Sequence, residues 1–514
     1  LSRATGFFFS RPLANATLAG VLSVGAFEPL NQPLLAILMP AALMLLWQQA
    51  AMAGTPQTPQ RAALTGFAFG AGFFGAGVSW VFVSLHTFGM MPAPLAALAT
   101  VLFCAFLALF PAAAGFAQAS MQTGRTSTLL LVLPALWVLL EWLRGWIFTG
   151  FPWISLGYSQ SGTLLAGYAP VLGVFGVSLA VMFCSGLLAL MVLGERRQKL
   201  AAAAGFAAVL AVGGMLRGNA WTETSGTPVK IALAQGNVPQ SLKFEPGRYE
   251  STLATYRRLI EQGVQGQARL VVLPETAIPR FLDQVAARYL EDLQDLMQAH
   301  GADLLLGAPL RDSSGYYNSV VSLGMSRSQV YSKTHLVPFG EFIPAGFGWI
   351  LNVLQIPLSD FSRGADTQRP LMLAGRPDLK VAVNICYEDA FGEEIAQQLP
   401  EATLLANVSN VAWFGDSLAP DQHLQISQMR AIETGRYMLR ATNSGVTAII
   451  DERGRVTARL PKFSEGLLEG SAQPFAGATP FVRWGDALVI ALSLAMLLAA
   501  AFAKFMHLRR TPLA

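Results

Sequence analysis

The stretch Val381-Ala-Val-Asn-Ile-Cys-Tyr-Glu-Asp389 sets a near-continuous apolar run directly before a thiol, a tyrosine and two acids. A short run of this kind is the signature of a strand covered on both faces. A cysteine at its end sits where layered α/β domains keep their sites, and reads as a positioned nucleophile. Cys386 is the only cysteine between residues 220 and 484, the others being Cys104 and Cys184. It therefore has no partner there for an intramolecular disulfide. A buried structural cysteine is the plainer alternative.

Similar runs flank it on both sides. Val229–Gln235, Arg269–Leu273, Asp303–Gly307 and Thr403–Asn407 read as strands, and Tyr317–Val330 as a hairpin. A long strand over 437–450 and a partner over 455–459 are joined by the turn Asp451-Glu-Arg-Gly454. Helical spacing covers 248–262, 284–299 and 421–435. Strands alternating with helices predict a layered α/β domain. No Gly-rich phosphate loop and no internal repeat is present.

Outside this region the composition changes. The 514 residues are 53% hydrophobic and 13% charged, against about a quarter charged in ordinary globular chains. The deficit falls in 1–217 and 485–503, so the chain reads as a membrane domain over 1–217, a catalytic domain over 220–484, and a last span with its tail over 485–514. Apolar segments near 13–30, 33–50, 62–85, 93–118, 128–147, 169–193, 199–216 and 485–505 predict about eight spans, given the roughly 20 residues a bilayer requires. The first is read as a span and not as a cleaved signal peptide, because further apolar segments follow across short loops. With a cytoplasmic N-terminus the inside set is Arg3, Arg11, Arg61, Arg125, Arg196, Arg197, Lys199, Lys504, Arg509 and Arg510, against Arg144 alone in the short outer loops. That asymmetry puts the α/β domain outside, in the periplasm of a Gram-negative cell. The net charge of +4 carries no basic run with interleaved aromatics, so no nucleic-acid partner is expected.

Two further stretches place polar residues just after buried strands. In Leu273-Pro-Glu-Thr-Ala-Ile-Pro279, Glu275 is a candidate proton acceptor; the alternative is a turn or helix-cap acid. In Tyr331-Ser-Lys-Thr-His-Leu-Val-Pro-Phe-Gly-Glu-Phe-Ile-Pro344, Lys333 is a candidate oxyanion stabiliser, or else a solvated surface lysine. His335 reads as a satisfied structural histidine sooner than as a general base. No second histidine lies at metal-ligand spacing, so no metal is expected.

The order Glu275, Lys333, Cys386, each after its own strand, resembles the nitrilase (carbon–nitrogen hydrolase) superfamily from about Val229 to Gly470. Gln235-Gly-Asn-Val-Pro-Gln-Ser-Leu-Lys243, His335-Leu-Val-Pro-Phe-Gly-Glu341, Asn384-Ile-Cys-Tyr-Glu388 and Thr442-Asn-Ser-Gly445, together with the apolar segments, resemble its membrane-embedded branch, the apolipoprotein N-acyltransferases. The resemblance implies an α-β-β-α sandwich outside a helical membrane bundle. It also implies transfer of an acyl chain from a phospholipid, phosphatidylethanolamine above all, to the α-amino group of a diacylated apolipoprotein. On that resemblance Cys386 is the nucleophile, Glu275 the general base and acid, and Lys333 the oxyanion stabiliser. Glu341, Tyr387, Glu388 and Asn318 match supporting positions. No cofactor is implied, and a monomer is expected.

The segment Phe342–Pro357, with Trp349, is strongly apolar for a region outside the membrane. It reads as a lid dipping into the bilayer surface, or alternatively as an ordinary core helix. Ala412-Trp-Phe-Gly415 reads as an exposed apolar element along the acyl path, and the loop 145–168 as one that docks beneath the domain. Two rival functions remain open: a membrane-anchored amidase using the same three residues, and a transporter or receptor with a ligand-binding outer domain.

Overall fold

The computed structural model describes residues 11–52, 58–343, 360–373, 376 and 378–510. They form two compact units. One takes in the chain up to Trp80, Ala97–Asn219 and the residues from Trp484 onward; the other joins Val81–Ala96 to Ala220–Arg483.

In the second unit, Val229–Gln235 (β1) shows how strands of this composition fold. Val229, Ile231 and Leu233 lie in one core and Ala232 and Ala234 in another, as the two-residue period of a strand requires. The next strands are Leu270–Val272 (β2), Asp303–Arg311 (β3), Tyr316–Gly324 (β4) and Val330–Ser332 (β5). After them come Leu371–Met372 (β6), Lys380–Ile385 (β7), Leu404–Ser409 (β8) and Met438–Thr442 (β9). Ala448–Ile450 (β10), Val456–Arg459 (β11) and Gly466–Ala472 (β12) complete the two main sheets, and Glu223–Thr224 pairs with Phe475–Ala476 in a small separate ribbon. One sheet has the order β12-β1-β2-β3-β4-β5 and the other β11-β10-β9-β8-β7-β6. Each has a parallel centre, β1-β2-β3 and β7-β8-β9, with antiparallel flanks.

The sheets face each other across Ile231, Leu233, Val272 and Leu305 on one side and Val381, Val383, Ala406 and Leu439 on the other. Helices Tyr249–Gln265 and Ala287–Ala299 cover the outer face of the first sheet. Leu253, Tyr256, Ile260 and Val264 recur every three to four residues, which puts them on one helical stripe. Helix Ala419–Thr434 covers the second sheet and ends at Gly435, whose φ of 62° is the left-handed cap that favours glycine. The result is an α-β-β-α sandwich, the layering that the resemblance implied.

One sequence reading is corrected, and three of the apolar segments take a more detailed form. The strand expected over 437–450 is two strands, because Asn443 turns out of the sheet between them. It bonds the backbone of Val238 through both atoms of its amide, at 3.0 and 2.8 Å. The apolar segment 62–85 is not one helix but two, Pro59–Gly77 in the first unit and Val81–Phe88 in the second. The segment near 13–30 forms the helix Pro12–Ala26, shorter than a straight crossing requires, and that near 33–50 the helix Leu35–Met52.

Five helices among the described residues are long and apolar enough to cross a membrane: Ala93–Met121, Arg125–Arg144, Leu164–Leu193, Arg196–Gly218 and Ala487–Met506. In the first unit small residues bring helices close. A Cβ on Gly20 would lie 2.0 Å from the Phe69 carbonyl, and one on Gly72 2.1 Å from that of Thr17. Most of the loop 145–168 is buried in this unit, with Trp153 and Tyr158 each 1% exposed and Arg144 donating to the carbonyls of Phe151 and Trp153.

Candidate active site

Cys386 follows β7 immediately and opens the 3-10 turn Cys386–Ala390. Its φ of 54° is left-handed, a strained setting for a residue with a side chain, at about 1–3 kcal/mol. Two donors hold the bend by its carbonyl: Asn407 Nδ2 at 3.1 Å and His423 Nε2 at 3.2 Å. The other group facing His423 Nε2 is an acceptor too, Asp389 Oδ1 at 2.7 Å, so Nε2 carries the proton. Burial and the Arg440 charge hold His423 below the usual imidazole range, so it is neutral. Arg440 NH1 bonds Asp389 at 3.2 Å and Asn407 at 2.6 Å. Parallel register lines up Asn384, Asn407 and Arg440 on neighbouring strands. This polar row fixes the elbow from beneath.

Glu275 lies just past β2, and its carboxylate is tied on both oxygens. Asn318 Nδ2 donates to Oε1 at 2.7 Å and the Asn410 backbone N–H to Oε2 at 2.8 Å. Lys333, directly after β5 and 1% exposed, places Nζ 3.6 Å from Glu275 Oε1 and 2.8 Å from Glu341 Oε2. Asn318 also donates to Glu341 at 2.9 Å, so one amide bridges two carboxylates that would otherwise repel. Burial works against the Lys333 ammonium, but Glu341 and Glu275 outweigh it and raise its pKa. It remains a cation throughout the working pH range. Burial pushes the Cys386 thiol well up and the Glu275 charge adds to this, while Lys333 and the Asn410 N–H pull the other way. At rest the sulfur is a thiol.

Glu388 joins the cysteine turn to the lysine loop. Its Oε1 accepts from the backbone N–H of Thr334 at 2.6 Å and of His335 at 3.1 Å, and its Oε2 from that of Ile385 at 2.6 Å and from the Tyr331 hydroxyl at 3.0 Å. Glu388→Gln puts an NH2 group against backbone donors in either flip. Each donor left buried without an acceptor costs about 1–3 kcal/mol. The expected outcome is a melting point lowered by several degrees and a turnover reduced ten- to a hundred-fold, checked by thermal unfolding and a transfer assay.

The matches to known proteins fall on both units. The apolipoprotein N-acyltransferase N-terminal domain model matches residues 19–187 and the carbon–nitrogen hydrolase model residues 230–478. An apolipoprotein N-acyltransferase of Nitrosomonas europaea is 50% identical over 504 residues, covering 97% of this chain and 99% of its own. The chain belongs to the apolipoprotein N-acyltransferase family. Members from Methylococcus capsulatus and Ralstonia nicotianae are 47% and 44% identical, over 92% and 96% of this chain and 92% and 93% of theirs.

Of the positions expected from sequence in this family member, Glu275, Lys333, Glu341 and Asn318 form one bonded cluster, coupled electrostatically to Cys386. Glu388 stands behind it. Tyr387 is buried, its ring edge-on to Phe391 with centroids 5.1 Å apart. His335 stacks on Phe391 and bonds Glu394 at 2.8 Å, the satisfied arrangement the sequence favoured. Trp349 and residues 344–359 of the expected lid lie outside the described residues. Ala412-Trp-Phe-Gly415 is not the exposed element expected: Ala412 is buried and Trp413 half-buried, packed edge-on to Phe88 of the same unit. Sequence reading missed Asn410, although it follows β8 as Cys386 follows β7. It also missed Asn384, Asn407 and Arg440, whose signal was a polar residue inside an apolar strand.

Proposed function

We propose that this chain moves an acyl group from a phospholipid to the α-amino group of a lipoprotein's S-diacylglyceryl-cysteine, through a thioester on Cys386. The observation that carries the reading is the buried cluster in which one carboxylate, Glu275, and one fixed cation, Lys333, act on one thiol. As the ester arrives, Glu275 takes the thiol proton and the sulfur bonds to the carbonyl carbon, whose π pair becomes an oxyanion beside Lys333. Collapse breaks the bond to the lysophospholipid oxygen, which leaves with the proton from Glu275. The lipoprotein amine, with an ordinary pKa of about 7.7–8.0, then attacks the thioester. Glu275 accepts the amine's proton and returns it to the departing sulfur, which restores the starting state.

A raised thiol pKa fits this order of events, since the nucleophile forms only when a substrate is present and does not sit exposed as a thiolate. Glu341 and Asn318 hold the carboxylate and the lysine in register, and Glu388 and Tyr387 shape the turn. The apolar segments are assigned as eight spans, the broken third and the short first included. The reading is of an inner-membrane enzyme that acts as a monomer with its sandwich in the periplasm, and the basic residues on one set of loops support that orientation. The domain limits proposed are 1–217, 220–484 and 485–514. The deciding experiment gives the full-length enzyme radiolabelled phosphatidylethanolamine and a diacylated lipopeptide. Label in the peptide amide supports the reading; release of free fatty acid alone overturns it in favour of a hydrolase.

A further inference from the structure

Lys243 is buried, 2% exposed, on the turn after β1, and the mechanism above does not use it. Its Nζ donates to the backbone carbonyl of Glu275 at 3.1 Å, and the acids whose charge acts on it are Glu275 and, once it gives up its proton, Cys386. A neutral amide would hold that carbonyl equally well, whereas an ammonium buried there carries a desolvation penalty. The balance of charge explains why a cation is present. Around Lys333 the acids Glu275 and Glu341 outnumber the cations, Glu388 also acts on Lys333, and moving the thiol proton to Glu275 while an oxyanion forms does not relieve that excess. Lys333 is already shared between Glu341 at 2.8 Å and Glu275 at 3.6 Å, so the oxyanion competes for it.

We propose that Lys243 is the second cation of the site, a positioning residue that fixes Glu275 through its carbonyl and offsets the excess of acid while the oxyanion on the Cys386 adduct forms. The inference rests on the thioester mechanism proposed above. Burial draws the Lys243 ammonium down to about 8, with Glu275 and Cys386 resisting. Lys333 meets the Glu275 carboxylate and Glu341, whereas Lys243 meets the Glu275 carbonyl, and Glu245 of the same turn is exposed. The sign follows: the charge is present below pH 8 and lost above it.

The test uses the full-length enzyme in detergent micelles with phosphatidylethanolamine alone, following acyl-thioester formation by intact mass from pH 6.5 to 9. The wild-type rate should fall above pH 8, toward tenfold per unit for loss of one proton. Lys243→Met should be at least tenfold slower at pH 7 and lack the alkaline fall. Lys243→Arg should stay within a few-fold of wild type at pH 7 and also lack the fall, because guanidinium does not titrate there. A Lys243→Met enzyme that keeps either the wild-type rate or the alkaline fall overturns the proposal. So does a wild-type profile that is flat across this range, even if both variants fail to fold. A wild type that forms no thioester at any pH overturns the mechanism itself, and this inference with it. Failure of the variants alone bears only on Lys243.

Discussion

Cys386→Ala is expected to bring acyl transfer to background while leaving the fold intact. The side chain lost is one sulfur at the rim of β7, and the polar row beneath it bonds the Cys386 backbone carbonyl, not the thiol. Cys386→Ser should fare little better. Its hydroxyl gives up a proton less readily than a thiol, and burial and the Glu275 charge already push the native thiol up. Transfer from labelled phospholipid, measured with the melting temperature of each variant, checks both. Turnover by Cys386→Ala above background would exclude a covalent route through this sulfur.

Glu275→Gln has the second largest expected effect. General acid–base catalysis contributes about 10²–10⁴-fold, and here one group serves both half-reactions, so a loss of about 10³-fold or more is expected in each. The amide also upsets the cluster, since it can accept from only one of Asn318 and Asn410. Glu275→Asp separates the two effects: it keeps the charge but shortens the reach, and should recover only a minor fraction of the rate. Single-turnover thioester formation, followed by a lipopeptide chase, reads the half-reactions separately. Equal loss in both is the expected pattern. A deficit confined to acylation would mean that another base serves the amine.

The elements that carry the chemistry were legible because strand ends leave a sharp mark: an apolar run stops and a polar residue follows at once. Cys386 follows that rule and Glu275 follows it one proline later, whereas Lys333 and Asn410 each come after a serine, Ser332 and Ser409, that already ends the apolar run. The break at Asn443 was not legible, because it answers to Val238, a residue some 200 positions away that only the paired sheets bring near. Arg440 and Asn407 were lost for a related reason. Polar side chains within an apolar strand look like noise until register sets them side by side beneath the cysteine turn. In the helical unit, composition marks apolar stretches well but says little about length and breaks. The break after Gly77 divides one apolar run into two helices.

The central claim concerns a covalent bond, and mass spectrometry of the full-length enzyme after incubation with phosphatidylethanolamine alone tests it most directly. The expected result is a mass increase of one fatty acyl group, mapped to the peptide that contains Cys386, lost on neutral hydroxylamine and discharged by a diacylated lipopeptide. Acyl transfer that proceeds with no acyl group on Cys386, or with the group on a different residue, would contradict the account.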